Sequence, residues 1–584
     1  MNTRLHCWTP AAILVIAGST QSLAAGPFGP LFEVSSLNGT NGFVINGIDE
    51  SDQSGFSVSS AGDINNDGVA DVLIGARSAD PNGQIFAGES YVVFGGASVG
   101  AGGSFDLASL NGPNGFVING VSFADSSGHA TSSAGDINGD GFDDLIIGAS
   151  YSLSNNRTGN AYVVFGGPGA GTTGTIELSA LSGSDGFAMH GIATGDFFGF
   201  SVSAAGDVNG DGVDDLIVGA NFADPNGDKS GECYVIFGAA GIGAGGSFDL
   251  TTLNGANGFV LSGLAASDNC GYSVCSAEDI NGDGLDDLII AARLASPNGN
   301  VFAGECYLVF GTVGIGVGGA FDLSSLNGTN GFVIHGIDPD DRIGDSVCSA
   351  GDFNDDGFDD VMVGARFAAP NGMSKTGETY VIFGSAAVGA GGSLELSSLN
   401  GVNGLVYIGA ASNDQSGSSV SSAGDVNGDG VVDLIIGAYD SGFGSSDNHH
   451  VVFGHNGAFP ASFDLSTLDG TDGFTIHGAD LGDKHGKTVS CAGDVNDDGY
   501  DDLITSGPFA DPSRIVSAGE SYVIFGRSAC PTDINADGVI DTADLGILIG
   551  QFGTPGPTAD INYDGVVDTA DLGILIAAFG TPCP

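Results

Sequence analysis

Short apolar runs of four to seven residues, set off by Gly, Asn, Asp and Pro, follow one another in a fixed order along most of this chain. In the first unit they cover residues 42–48 (GFVINGI), 56–62 (FSVSSAG), 71–76 (DVLIGA) and 89–95 (ESYVVFG). Each is rich in Val, Ile, Phe or Tyr and bounded by turn formers, which predicts strands. No segment between them keeps a helical period. Seven such units predict an all-β fold, a seven-bladed β-propeller with four antiparallel strands per blade. After Cys530 the pattern changes. Leu545, Leu548, Ile549 and Phe552 fall at i, i+3, i+4 and i+7, and Leu572, Leu575, Ile576 and Phe579 repeat the spacing. This predicts two helices with one apolar face each.

The polar turn between the second and third runs is D-x-N-x-D-G-x-x-D in every unit, at intervals of 73, 71, 72, 73, 73 and 69 residues. Side-chain oxygens at positions 1, 3, 5 and 9, with the backbone carbonyl of position 7, form the hard oxygen set that Ca²⁺ prefers, and Gly at position 6 permits the tight turn. The expected ligands in the first three loops are Asp63, Asn65, Asp67, Val69 and Asp71; Asp136, Asn138, Asp140, Phe142 and Asp144; and Asp207, Asn209, Asp211, Val213 and Asp215. In the next two they are Asp279, Asn281, Asp283, Leu285 and Asp287, then Asp352, Asn354, Asp356, Phe358 and Asp360. The last two offer Asp425, Asn427, Asp429, Val431 and Asp433, then Asp494, Asn496, Asp498, Tyr500 and Asp502. Position 12 is apolar here, as in Ile74, Ile147 and Val218, so these loops are expected at hairpin tips and not ahead of helices. Two C-terminal loops differ. Asp533, Asn535, Asp537, Val539, Asp541 and Asp544, and Asp560, Asn562, Asp564, Val566, Asp568 and Asp571, carry an acid at position 12 and lead into the helical pattern. They read as EF-hand-like sites, for nine Ca²⁺ in all.

Charge sharpens this reading. The 584 residues carry 71 Asp and Glu against 12 Lys and Arg, a net charge of -59. That balance excludes a nucleic-acid partner held through its phosphates, and anionic membrane surfaces with it. Three Asp in each of seven loops and four in each of the last two account for 29 of the 71 acids. Two carboxylates about 4.5 Å apart repel by roughly 3 to 4 kcal/mol at an effective dielectric near 20, so metal is expected to be part of the fold. Residues 1–25 hold Arg4, an apolar run over 11–17 and small residues Ser22, Ala24 and Ala25, which read as a secretory signal peptide and a secreted or cell-surface location. The run is too short to span a bilayer, and no later segment reaches spanning length. Losing the signal takes Cys7 and leaves eight cysteines. Cys530 and Cys583 bracket the small C-terminal module, and a disulfide between them is expected. The other six are expected mostly as buried free thiols, with a Cys270–Cys275 bridge as the alternative.

These units resemble FG-GAP repeats, the units of the integrin alpha-subunit N-terminal propeller and its bacterial relatives. The resemblance rests on the seven loops, on the I-G-A or V-G-A after them (74–76, 147–149, 218–220), and on the F-G that ends each unit at Phe94, Phe165, Phe237, Phe310, Phe383, Phe453 and Phe525. It covers about residues 28–527. It implies that GFVINGI is the outermost strand of a blade begun by the preceding unit, so that the first copy joins the strands between Thr488 and Gly526 and closes the ring. Glu278 departs from the pattern, standing where the sibling units have Gly, and so does Ser446-Asp447-Asn448-His449-His450. The C-terminal pair of loop-helix units resembles a type I dockerin. That resemblance implies a cohesin-bearing partner, met through Thr542-Ala543 and Thr569-Ala570 in either of two orientations; the Ala departs from the hydroxyl pair of familiar members. The expected organisation is thus a signal peptide at 1–25, the propeller at 28–527 and the dockerin-like domain at 530–584.

No nucleophile elbow, H-E-x-x-H or phosphate loop is present, and no catalytic or organic-cofactor residue is assigned. His449, His450 and His455 form the only histidine cluster and read as a polar turn beside a strand. His190, His335 and His477 stand where other units have Asn46 or Asn119, as structural positions. A ligand is expected on the face opposite the metal hairpins, around residues 49–54 and 77–86. Arg77, Arg293 and Arg366 recur there and are expected to pair with neighbouring Asp. The favoured function is a secreted, calcium-binding, non-enzymatic and monomeric propeller that binds an extracellular protein or glycan and is tethered through the dockerin-like module. The alternatives are a polysaccharide-degrading subunit of a dockerin/cohesin complex and an integrin-like surface adhesion protein.

Overall fold

The computed structural model describes residues 28–153, 156–439, 448–480, 482–528, 530, 532, 534, 540–554, 559–562 and 566–579. The signal peptide, Asp533, Asn535, Asp537, Val539, Asp564 and Cys583 lie outside the described residues.

Seven sheets succeed one another along the chain, one for each metal-type loop. Blade 1 runs outward from Ser57–Gly62 through Asp71–Ala76 and Glu89–Val93 to Gly115–Asn119, which the following unit contributes. Each of these pairs is antiparallel. Every sheet has five strands where the sequence suggested four. The extra one is a stub of two or three residues, such as Thr175–Glu177, pairing in parallel with the outer strand. Runs such as Ser104–Asp106 are too short to show an alternating pattern, which hides them from a periodicity reading.

The ring closes as the FG-GAP resemblance implies. Gly42–Asn46 pairs with Glu520–Ile524 from Gly42 opposite Ile524 to Asn46 opposite Glu520. A second clasp lies beside it, where Leu31–Glu33 pairs in parallel with Gly473–His477 of blade 6. The N-terminal chain therefore completes two blades, and both edges it covers are removed from aggregation.

The core lies between blades. The strand after each loop, Asp71–Ala76 in blade 1, is buried at all six positions, because neighbouring sheets cover both its faces and alternation disappears. Close packing explains the Gly of I-G-A: a Cβ on Gly75 would lie 2.2 Å from the Gly128 carbonyl oxygen.

Past the propeller strands, α1 (Thr542–Gln551) and α2 (Thr569–Ala578) each begin with a capping box, Asp541 with Asp544 and Asp568 with Asp571. Leu548 and Leu575 are fully buried in a small core with Ile540, Ala559, Ile561 and Val567. The expected apolar face splits: Ile549, Phe552, Ile576 and Phe579 are 60, 43, 58 and 42% exposed.

Cys233, Cys270, Cys275, Cys306, Cys348 and Cys491 are free thiols. Cys270 and Cys275 share one strand, Cys270–Glu278, and do not bridge. Cys275 instead places its sulfur 3.5 Å from that of Cys348 on the next blade. Cys530 is disulfide-bonded.

Candidate metal loops and the opposite face

Each loop is shaped by its first aspartate. In blade 1, Asp63 Oδ1 accepts from the Asp67 amide at 2.9 Å and Oδ2 from the Gly68 amide at 2.8 Å. Asp67 Oδ1 accepts from the Val69 amide at 3.1 Å. The chain turns back at Gly68, whose φ of 90° belongs to the left-handed region. The same bonds recur in the other six loops, for example Asp136 with Asp140 and Gly141, and Asp494 with Asp498 and Gly499.

Position 9 sits deepest. Asp71 has no exposed surface, and its Oδ1 accepts from the Gly95 amide at 2.8 Å. Asn65 Nδ2 lies 3.3 Å from its Oδ2. Burial above all, aided by Asp67 and Asp63, pushes its carboxyl up to about 8. Asp144, Asp215, Asp287 and Asp360 are pushed to about 8 as well, and Asp433 and Asp502 well above the ordinary range, all first by burial. The ion pairs of Arg293 and Arg366 with Asp345, His335 with Glu305 and His477 with Glu33 leave these buried acids aside, and among the described residues each of them is met by amides alone. Oxygen-rich loops with buried, uncompensated carboxylates fit a hard divalent cation. Among the described residues, no three or more Asp, Glu, His or Cys side chains are drawn together tightly enough to enclose an ion; the carboxylates face their own loop amides.

The spacing argument missed position 8. Asp143 Oδ2 accepts from the Asp63 amide of the preceding blade at 2.8 Å. Asp214, Asp286, Asp359 and Asp501 make the equivalent inter-blade bond. The signal was the Asp-Asp doublet ending five of the seven loops; Ala70 and Val432 stand at this position in the other two.

In the C-terminal module Asp544 and Asp571 are fully buried, each accepting the amide of the N-cap residue of its own helix at 2.7 Å. Asp571 also accepts from the Asn562 amide at 3.1 Å, tying the start of the second loop to α2.

The histidine reading needs correction. His449 and His450 lie within the strand Asn448–Val452 and are buried, not in a polar turn. The His449 ring stacks on His485 at 4.2 Å, while His455 stacks separately on Phe459 at 4.1 Å. His190, His335 and His477 end outer strands and contact Asn160, Glu305 and Glu33.

The opposite face has a different chemistry. Of the 12 Lys and Arg, Arg4 precedes the described residues and Arg527 follows the last strand of blade 7; the other ten lie in loops of this face. The residue seven positions before the first aspartate of each loop, at or near the start of the inner strand, stands at the mouth of the central channel: Phe56, His129, Phe200, Tyr272, Asp345, Ser418 and Lys487. The first four form an arc with successive ring centroids 5.3, 5.1 and 5.1 Å apart. Arg293 lies 3.6 Å above Tyr272 and bonds Asp345 at 2.7 Å, and Arg366 reaches Asp345 at 3.1 Å, as expected. Arg77 breaks the expectation, lying 3.5 Å over Phe56 with Gln53 as its hydrogen-bond partner.

Comparison with known proteins agrees with this geometry. The FG-GAP repeat model matches residues 54–93, 128–164, 198–236, 271–309, 344–382, 416–453 and 488–524, and the dockerin type I domain model matches 531–580. Integrin alpha pat-2 of Caenorhabditis elegans is 31% identical over 252 residues, 42% of this chain and 18% of that protein. Integrin alpha-5 of Xenopus laevis is 31% identical over 249 residues, 42% of this chain and 20% of that protein. Phosphatidylinositol-glycan-specific phospholipase D of Bos taurus is 36% identical over 115 residues, 20% of this chain and 13% of that protein. The chain thus spans a fifth or less of the length of these curated relatives. The crystal structure of the V. cholerae biofilm matrix protein Bap1 matches at a TM-score of 0.28 and 13% identity, covering 86% of this chain and 91% of that one. Seven FG-GAP repeats forming a seven-bladed β-propeller, followed by a type I dockerin domain, place this chain among the FG-GAP-repeat proteins related to integrin alpha subunits.

Proposed function

We propose that the protein is a secreted, non-enzymatic binding propeller, stabilised by calcium and tethered through its dockerin domain to a cohesin-bearing partner. The observation that carries this reading is the set of seven buried position-9 aspartates without a counter-charge. Positions 1, 3, 5 and 9 of each propeller loop, with the position-7 carbonyl, hold the ion once the first aspartate turns from its loop amides. The two dockerin loops hold one each through the ligands named from sequence. Calcium there supplies charge neutralisation and fixes the hairpin tips.

The test is melting of full-length protein after exhaustive chelation and after calcium return. A rise of ten degrees or more on reloading is expected; identical melting temperatures overturn the proposal. Tethering is supported by a duplicated exposed stripe, Thr542, Gly546 and Ile549 on α1 and Thr569, Gly573 and Ile576 on α2. Such twin patches suit one partner site met in two orientations. Cohesin modules should retain the wild type and lose an Ile549→Asp, Ile576→Asp double variant; retention of that variant would remove the stripe from the interface.

A further inference from the structure

We propose that the channel mouth opposite the metal loops binds an oxyanion, the carboxylate of an acidic sugar, between Arg77 and Lys487. This deepens the binding role proposed above and rests on it.

Two cations share one ring. The Arg77 guanidinium carbon lies 3.5 Å and Lys487 Nζ 3.7 Å from the Phe56 centroid, which holds both charges against one aromatic ring, where a bidentate oxyanion can meet them together. Neither has a carboxylate partner among the described residues, whereas Arg293 and Arg366, on the same mouth, share Asp345. Burial above all, and then the neighbouring cations Arg77, Arg366 and Lys484, bring the Lys487 ammonium down to about 7. In a chain with 71 acids, two neighbouring cations left without one mark a place where the anion is to come from outside.

The walls specify what carries that anion. His129, Phe200 and Tyr272 are each half-buried, and Tyr151, 5.6 Å from His129, is 40% exposed. A carboxylate on a six-membered sugar ring suits this frame: the charged group reaches the cations while the apolar C–H face of the ring lies on the aromatics. An aspartate side chain on a peptide has no such face to offer.

The test is calorimetric titration of the full, calcium-loaded chain with glucuronate, polyglucuronate, glucose, inorganic sulfate and an Asp-rich peptide. Glucuronate and its polymer are expected to bind, with glucose, sulfate and the peptide at least tenfold weaker. Arg77→Gln and Lys487→Met should each weaken glucuronate tenfold or more while keeping the wild-type calcium-dependent melting temperature. Absence of glucuronate binding, or variants that bind like the wild type, overturns the site. Sulfate or the peptide binding as tightly overturns the sugar assignment. Calcium-dependent melting and cohesin capture do not involve this mouth, so their failure is read separately.

Discussion

Glu278 is a strained substitution that the fold would rather carry as glycine. The matching residues Gly62, Gly135, Gly206, Gly351, Gly424 and Gly493 have φ between 57° and 71°, and Glu278 has 49°. An L-residue in this region costs about 1–2 kcal/mol, and glycine gives back about 0.5–1 kcal/mol through its freer unfolded chain. A Cβ on Gly135 would lie 2.3 Å from Asp214 Oδ2, the acceptor that links two blades. In blade 4 that link, from the Asp279 amide to Asp359 Oδ2, stretches to 3.1 Å, against 2.8 Å for the Asp136–Asp214 bond. Glu278→Gly therefore stabilises the ring by about 1 kcal/mol. With unfolding entropy near 2 cal/mol/K per residue over a cooperative ring of this size, the melting temperature rises only by about 1 °C, so urea midpoints in calcium buffer are the sharper assay. The reverse change, Gly135→Glu, adds the backbone cost and damages the Asp136–Asp214 bond, a loss of about 3 kcal/mol. A destabilised Glu278→Gly, or a neutral Gly135→Glu, would refute this account.

Asp143→Ala leaves the Asp63 amide without its acceptor and should cost about 1–3 kcal/mol in urea unfolding, while Val432→Ala, at a position with no acid, costs only its packing. His449 and His450 are held down to about 3 and about 4 by burial, below their ordinary 6.5, so their contribution is whole above pH 6.5 and is lost as the pH falls toward those values. Each accounts for about 1.4 kcal/mol per pH unit over that window, so His449→Gln should flatten the fall in stability between pH 6.5 and 5 by that amount, measured against the wild type. A disulfide reagent should oxidise Cys275 and Cys348 to one inter-blade disulfide, itself reduced to thiols, with the mass of the linked peptides falling by two hydrogens. Cys348→Ser abolishes that species.

Much of the architecture was legible because each unit writes its strands between turn formers. Asp71–Ala76 matches the expected run at both ends, and the closing pair of Gly42–Asn46 with Glu520–Ile524 followed from the FG-GAP resemblance. What escaped was set by partners distant in sequence. The parallel stubs are two or three residues long, and their pairing is visible only once an outer strand lies beside them. Asp143 looked like filler in a metal loop because its partner, the Asp63 amide, sits on another blade 80 residues away. Arg77 looked like Arg293 and Arg366 by position, yet Asp345 reaches only the latter two, because the channel-mouth position beside Arg77 holds Phe56 where blade 5 holds Asp345. The helical spacing placed Ile549 and Ile576 on the same face as Leu548 and Leu575; one face of a ten-residue helix in so small a core cannot be buried whole.

The position-8 aspartates also divide the ring into unequal seams. Four consecutive joints, from blade 1 to blade 5, and the joint from blade 6 to blade 7 are tied by a carboxylate that accepts a neighbouring loop amide. At the joint from blade 5 to blade 6, Val432 has no acceptor to offer and packs toward Gly351. At the joint from blade 7 to blade 1, Ala70 donates its own amide to the Asp494 carbonyl at 3.2 Å. The second of these seams lies beside the double N-terminal clasp, which ties blades 6 and 7 by strand pairing. The first has no such clasp. Each tie leaves from the first residue of a loop, whose side chain is a proposed calcium ligand, so a cation that orders the loop also holds the donor of the inter-blade bond. A bound cation would thus couple loop order to ring closure at five joints, whereas the joint between blades 5 and 6 lacks this carboxylate tie and is held by bonds outside the loops, the Val420 amide to Ser346 Oγ at 3.1 Å and the Ser416 amide to the Thr376 carbonyl at 3.0 Å, which a metal-stripped ring would keep.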